Sequence, residues 1–184
     1  DILQPDVNHI VYLDYRPSNL CNLKCRMCGY KNSSMIAKEQ GIELEISVPA
    51  KDYKNLDMSK LKGVMVVGGE PSIQQDLYDF LDYCCELGLN NTLDLSFTTN
   101  GTNTNKKWMD RLSKWKKLKV EISLDGIGST MEYIRHGASW SAIEKNCAVY
   151  EEVLGKDKIE YSIVATVYNI PNVEDWAPWF LNKN

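Results

Sequence analysis

The chain has 184 residues, 43% hydrophobic and 25% charged, which suits one globular domain with a sizeable core. A net charge of −4 gives no electrostatic case for nucleic-acid binding. No apolar run nears the roughly 20 residues of a membrane helix, and the first residues have neither the basic nor the apolar region of a secretory signal.

In chain order, the first expected strand is 9–15, where Val11, Leu13 and Tyr15 oppose Tyr12 and Asp14. A loop opened by Arg16-Pro17-Ser18-Asn19 then carries Cys21-Asn22-Leu23-Lys24-Cys25-Arg26-Met27-Cys28, a Cys-x3-Cys-x2-Cys run. Three thiolates this close can share one metal centre. Structural zinc sites close with four ligands, and iron–sulfur clusters are usually held by four cysteines. Three cysteines on a four-iron cluster would leave one iron open to a small molecule. A zinc knuckle with a distant fourth ligand, or three unrelated loop thiols, satisfies the same spacing.

A short helix is expected over 34–40, followed by a long connection, 41–60, that no pattern places. Strand 62–67 reads as a continuous apolar run, as a strand covered on both faces should. It ends in Gly68-Gly69-Glu70-Pro71. Leu77, Phe80, Leu81 and Cys84 make one helix face, with Ser72-Ile73-Gln74-Gln75 as capping box and Gly88 as terminator. Strand 92–98 ends in Thr98-Thr99-Asn100-Gly101, and a helix marked by Trp108, Leu112 and Trp115 follows. Strand 118–124 ends in Ser123-Leu124-Asp125-Gly126. A helix marked by Ile143, Cys147, Tyr150 and Leu154 stops at Gly155, strand 158–167 comes next, and a fifth helix begins at Asn172. In 93–100 and 118–125 an apolar face alternates with a polar one. That pattern predicts a barrel whose interior is wet, unlike a packed TIM barrel; an open α/β sheet with polar core residues is the alternative. Each glycine-containing strand end could be a plain turn, but four in succession point to a shared site. Cys84 and Cys147 are expected in the core, and reduced thiols fit a cytoplasmic setting.

The cysteine run and Gly68-Gly69-Glu70-Pro71, in this order and each at a strand end, resemble the radical S-adenosylmethionine (radical SAM) enzymes over about residues 9–170. The resemblance implies an α/β fold, a partial (β/α)6 barrel here truncated after about five units. The whole of 1–184 would be one radical SAM core domain, lacking a sixth unit and any extension. Met27 stands where the family commonly has an aromatic residue. The resemblance further implies a 4Fe–4S cluster on Cys21, Cys25 and Cys28, with S-adenosylmethionine chelating its open iron. Gly68 and Gly69 would admit the methionyl amine and Glu70 offset its charge, with a plain exposed turn carboxylate as the alternative for Glu70. Thr99, Asn100, Ser123 and Asp125 would offer hydrogen bonds, and Arg135 a planar fork for the carboxylate, with a surface arginine as the alternative. Tyr30 would either flank the adenine or pack on the sheet, and His136 reads as a solvated loop residue. The implied activity is reductive cleavage of S-adenosylmethionine to a 5′-deoxyadenosyl radical that abstracts hydrogen from an unidentified substrate, in peptide modification or in cofactor or metabolite biosynthesis. It would need a one-electron donor such as a flavodoxin or ferredoxin. Ser123-Leu124-Asp125-Gly126 with Tyr133-x-Arg135 resembles the subgroup bearing a SPASM or twitch extension. A glycyl-radical-enzyme activase and a non-catalytic iron–sulfur or zinc module are the competing readings.

Overall fold

A computed structural model describes residues 9–43 and 52–183. Its elements in chain order are β1 (Tyr12–Tyr15), β2 (Lys24–Cys25), α1 (Ser34–Glu39), β3 (Gly63–Val66), α2 (Gln75–Glu86), β4 (Asp94–Thr99), α3 (Lys106–Leu112), β5 (Lys117–Ser123), α4 (Gly128–Ile134), β6 (Arg135–His136), α5 (Trp140–Leu154), β7 (Ile159–Ser162) and α6 (Val173–Lys183). Part of the expected 41–60 connection lies outside the described residues; within it a 3-10 turn covers Asp52–Asn55.

Five strands form one parallel sheet in the order β1-β3-β4-β5-β7. Spatial order follows chain order, with no reversal of the kind that splits a doubly wound sheet. The sheet's covered face carries Val64, Val66, Leu95, Phe97, Leu118, Val120, Ile122, Ile159 and Tyr161, all buried in one cluster with Leu77, Phe80 and Trp108 from the helices. The opposite face carries Tyr12, Asp14, Thr98, Lys119 and Glu160, all exposed, with Lys119 Nζ 2.8 Å from Glu160 Oε1. The alternating strands thus bury the apolar set and leave the polar set wet, as a partial barrel requires. Strand 62–67 departs from its expected doubly covered character. Met65 stands between Asp14 and Ser96 on the open face and is 49% exposed, so β3 alternates like its neighbours.

Helix boundaries follow local chemistry. Gly88, at φ 73°, ends α2, and Gly155, at φ 95°, ends α5, each in a conformation that favours glycine. The expected capping box at Ser72 does not form. Ser72 sits inside a 3-10 turn, Pro71–Ile73, whose N-cap is Glu70; α2 starts after Gln74 without a side-chain cap. Asn105 caps α3, its Oδ1 accepting from Trp108 N at 2.9 Å. Trp115 is buried but lies beyond that helix. Strand 158–167 is shorter than expected, because beyond Ser162 the backbone turns to side-chain partners. Val164 N donates to Asp125 Oδ1 at 2.8 Å, and Asn169 Nδ2 donates to Val164 O at 2.7 Å. The fifth helix, expected over 172–180, is α6 and carries Pro178 inside it. The α4–β6 segment has no counterpart in the sequence reading.

Candidate active site

At the C-terminal ends of the strands, the cysteine loop is fastened from three sides. The β3 end runs alongside it: Val67 N donates to Tyr15 O at 3.1 Å, Gly69 N to Ser18 O at 3.2 Å, and Glu70 N to Leu20 O at 2.7 Å. A Cβ on Gly69 would lie 2.1 Å from Leu20 O, and one on Gly68 2.6 Å from Ser18 O. Both glycines are therefore demanded by the backbone that leads into Cys21, a reason distinct from admitting a ligand. From the second side, Ser33 Oγ donates to Leu23 O at 2.8 Å and Cys21 N donates to Ser34 Oγ at 3.2 Å, tying the loop to the start of α1. The third fastening is the β2–β6 ribbon. Cys25 lies opposite Arg135 in antiparallel register, Arg26 N donates to Ile134 O at 2.8 Å, and the Arg26 guanidinium lies 3.8 Å over the Tyr133 ring.

The polar strand ends are already engaged. Glu70 is 1% exposed, and its carboxylate accepts from Ser72 N (3.1 Å), Thr99 Oγ1 (2.6 Å) and Asn100 N (2.7 Å). It clamps the β3 end to the β4 end, whereas the sequence reading gave it the role of offsetting an amine. Asn100 Nδ2 donates to Asn22 Oδ1 at 2.9 Å, reaching into the cysteine run itself. Asp125 is fully buried, at φ 62°, a strained conformation for a residue with a Cβ. Its Oδ1 accepts from Val164 N, and its Oδ2 lies 2.6 Å from Arg135 Nη2. Arg135 also meets Ser123 Oγ, and its Nη1 lies 4.0 Å from Cys25 Sγ. With 8% exposure, Arg135 is not a surface arginine. Its buried Nε has no hydrogen-bond partner among the described residues.

These residues surround one cavity of about 500 Å³, lined by the three motif cysteines, Gly68 to Glu70, Thr99, Asn100, Ser123, Asp125 and Arg135. Met27 lines it too, in the place of the family's common aromatic residue, while Tyr30 does not. His136 is exposed, and Cys84 and Cys147 are fully buried away from the cavity. All six cysteines are free thiols. Burial pushes Cys25 up to about 11, although the Arg135 charge pulls the other way. It raises Cys21 and Cys28 as well. Among the described residues, no three His, Cys, Asp or Glu side chains gather closely enough to hold a single metal ion. A cluster takes each thiolate on a different iron, so its ligands stand wider apart than those of one zinc. The three motif cysteines line one cavity, and thiolates are the donors that iron–sulfur clusters take.

The sequence profile described as "Radical SAM superfamily" matches residues 15–177. The chain belongs to the radical SAM superfamily. A 4Fe–4S cluster and S-adenosylmethionine are the cofactors characteristic of that superfamily. Among curated relatives, "Mycofactocin maturase MftC" of Mycobacterium ulcerans is 25% identical over 167 residues, covering 91% of this chain and 43% of the relative. "Pre-heme d1 synthase" of Dinoroseobacter shibae is 30% identical over 115 residues, covering 62% and 27%. Among solved structures, anSMEcpe with bound AdoMet superposes at a TM-score of 0.70 with 22% identity, covering 94% of this chain and 48% of that one. Streptococcus suis SuiB bound to the precursor peptide SuiA superposes at 0.68 with 23% identity, covering 96% and 38%. These likenesses show the α/β radical SAM fold. The chain spans less than half the length of these relatives.

The sequence reading missed four contributors to the site. Asn22 was within sight, between the first two cysteines. Ser33 caps an evident helix and Ser34 opens it, positions where polar side chains are common. Asn169, fully buried, donates to Asp125 O at 3.1 Å, and no local signal marks it.

Proposed function

We propose that this chain is the catalytic core of a peptide-modifying radical SAM maturase. In this reading Cys21, Cys25 and Cys28 hold the 4Fe–4S cluster, and S-adenosylmethionine occupies the cavity beside them. The observation that carries it is the convergence of three thiols, a glycine-built strand end and a buried arginine on one cavity at the C-terminal edge of a parallel sheet. Together the bound cofactors supply a one-electron reductive cleavage that yields a hydrogen-abstracting radical.

The protein's part is placement. Gly68 and Gly69 let the loop backbone close on the β3 end, and Glu70 fixes that end to β4. Thr99 and Asn100 complete the clamp, and Ser123, Asp125 and Arg135 form the polar wall opposite. The open face of the sheet, with Asp14, Met65, Ser96 and Lys119 in one row across it, would take an extended polar substrate. A peptide is such a substrate; mycofactocin maturases recur among the curated relatives, and SuiB is seen bound to a precursor peptide. The full protein would continue into a SPASM or twitch extension, take its electron from a flavodoxin or ferredoxin, and work in a reducing, cytoplasmic setting.

Tetrapyrrole chemistry is the second reading, favoured by the 30% identity to pre-heme d1 synthase over 62% of the chain. The deciding experiment is electron paramagnetic resonance of the anaerobically reconstituted, reduced protein with and without S-adenosylmethionine. Release of 5′-deoxyadenosine is then compared with precursor peptides and with porphyrins. A cluster signal altered by the cofactor, with peptide-stimulated release, supports the maturase reading. Stimulation by porphyrin alone selects the second. Zinc without iron or sulfide would overturn both.

A further inference from the structure

We infer that Arg135 acts on the metal centre itself, as a cationic donor to the Cys25 sulfur that raises the cluster's reduction potential, and that Asp125 holds it there. The inference rests on the cluster reading above and assigns this arginine a task separate from binding a carboxylate.

Three observations converge. Nη1 of Arg135 lies 4.0 Å from Cys25 Sγ, the outer range of a hydrogen bond to sulfur. The register of β2 and β6 places Cys25 and Arg135 directly opposite each other, so backbone pairing brings the two side chains onto facing positions. The other end of the guanidinium is fixed: Nη2 lies 2.6 Å from Asp125 Oδ2 and meets Ser123 Oγ. Asp125 is itself pinned, because its Oδ1 accepts from Val164 N and its backbone is held at φ 62°. A strained residue persists only where the surroundings over-determine it. Here the strained conformation accompanies a carboxylate aimed at a guanidinium that reaches a cluster ligand.

Adding an electron places one more negative charge beside Cys25. The Arg135 charge stabilises that state, and Asp125 offsets it only in part, because Arg135 weighs more on Cys25 than Asp125 does; hydrogen bonds to sulfur shift cluster potentials in the same sense. Only an arginine can span both partners, since its planar fork presents donors in two directions whereas a lysine ammonium is a single point charge.

The test is a mediated dithionite titration of the reconstituted full chain, followed by electron paramagnetic resonance, without S-adenosylmethionine. In Arg135→Gln the reduction equilibrium should move about tenfold against the reduced form, about 59 mV for one electron. Pulsed resonance should also lose an exchangeable-proton coupling that the parent shows. Arg135→Lys keeps the charge and should move the equilibrium about threefold, which decides the matter if the glutamine variant loads no cluster. Loaded variants with the parent's midpoint and proton coupling would overturn the inference. A parent that binds no iron would instead overturn the cluster reading on which it rests.

Discussion

Replacing Gly69 by alanine tests whether the glycine pair serves the protein's own backbone. The added Cβ would lie 2.1 Å from Leu20 O and 2.6 Å from Asn19 C, both backbone atoms that no side-chain rotation can clear. Relief requires the 18–20 segment to retreat by about 1 Å or more, well beyond what close packing absorbs. The retreat breaks the bonds from Gly69 N to Ser18 O and from Glu70 N to Leu20 O. Two such bonds contribute about 0.5–1.5 kcal/mol each, and overpacking adds about 1–3 kcal/mol. The sum, roughly 2–6 kcal/mol, is a large share of a typical domain stability of about 5–15 kcal/mol. Because the next residue along the displaced segment is Cys21, the loss should also appear as metal binding. The assay is iron and sulfide per chain after anaerobic reconstitution, alongside urea unfolding of the apoprotein. Gly29→Ala is the internal control: it adjoins Cys28, has no positive φ, and its added Cβ meets nothing within 4 Å. Gly69→Ala should lose most of its iron and be less stable, while Gly29→Ala matches the parent. Full loading and unchanged stability in Gly69→Ala would refute the steric account.

Glu70→Gln keeps the shape but presents an amide nitrogen to one of three donors, so urea unfolding should show a loss of about 1–3 kcal/mol. Tyr150→Phe removes the partner of Trp108 Nε1 at 2.8 Å and of Asn103 O at 2.9 Å. It should cost about 1–3 kcal/mol in the same assay and leave the iron content unchanged, since Tyr150 does not line the cavity. Cluster formation needs thiolates, so burial of Cys21, Cys25 and Cys28 makes loading release protons. Chelator competition should therefore show tighter metal retention at pH 8.5 than at pH 7. The apoprotein should respond in the opposite sense. Cys25, Cys84 and Cys147 titrate above the ordinary thiol value of 9.0, at about 11, 12 and 12. Their contribution to stability is complete below pH 9 and lost as pH rises through those values, which urea midpoints at pH 8, 9.5 and 11 would reveal.

The strongest signals in the sequence were periodic. Leu77, Phe80, Leu81 and Cys84 declared α2, and the alternation through Leu93, Leu95 and Phe97 declared a half-wet strand. Both patterns reflect burial of one face, which composition records directly. The motif residues were visible as a cavity lining, but their individual contacts were not. Glu70 looked like a charge waiting for a ligand, and the structure gives it three donors from its own chain. Asn100 looked like a ligand contact and reaches Asn22 across 78 positions. Such pairings depend on which strand ends meet, and that is settled by the whole sheet. The β2–β6 ribbon was invisible for a related reason. Two-residue strands carry no periodicity, and 110 positions separate Cys25 from Arg135.

That ribbon has a consequence for how the protein is made. As the chain is synthesised, its three motif thiols emerge first, long before the segment that clamps them. Arg135 and His136 must follow, and Val164 and Asn169 must arrive before Asp125 has its full set of partners. Metal delivered to a nascent chain shorter than this would meet a loose loop with its thiols open to oxidation. On the proposed cluster reading, the loop reaches its clamped form only once the chain has been made as far as Asn169.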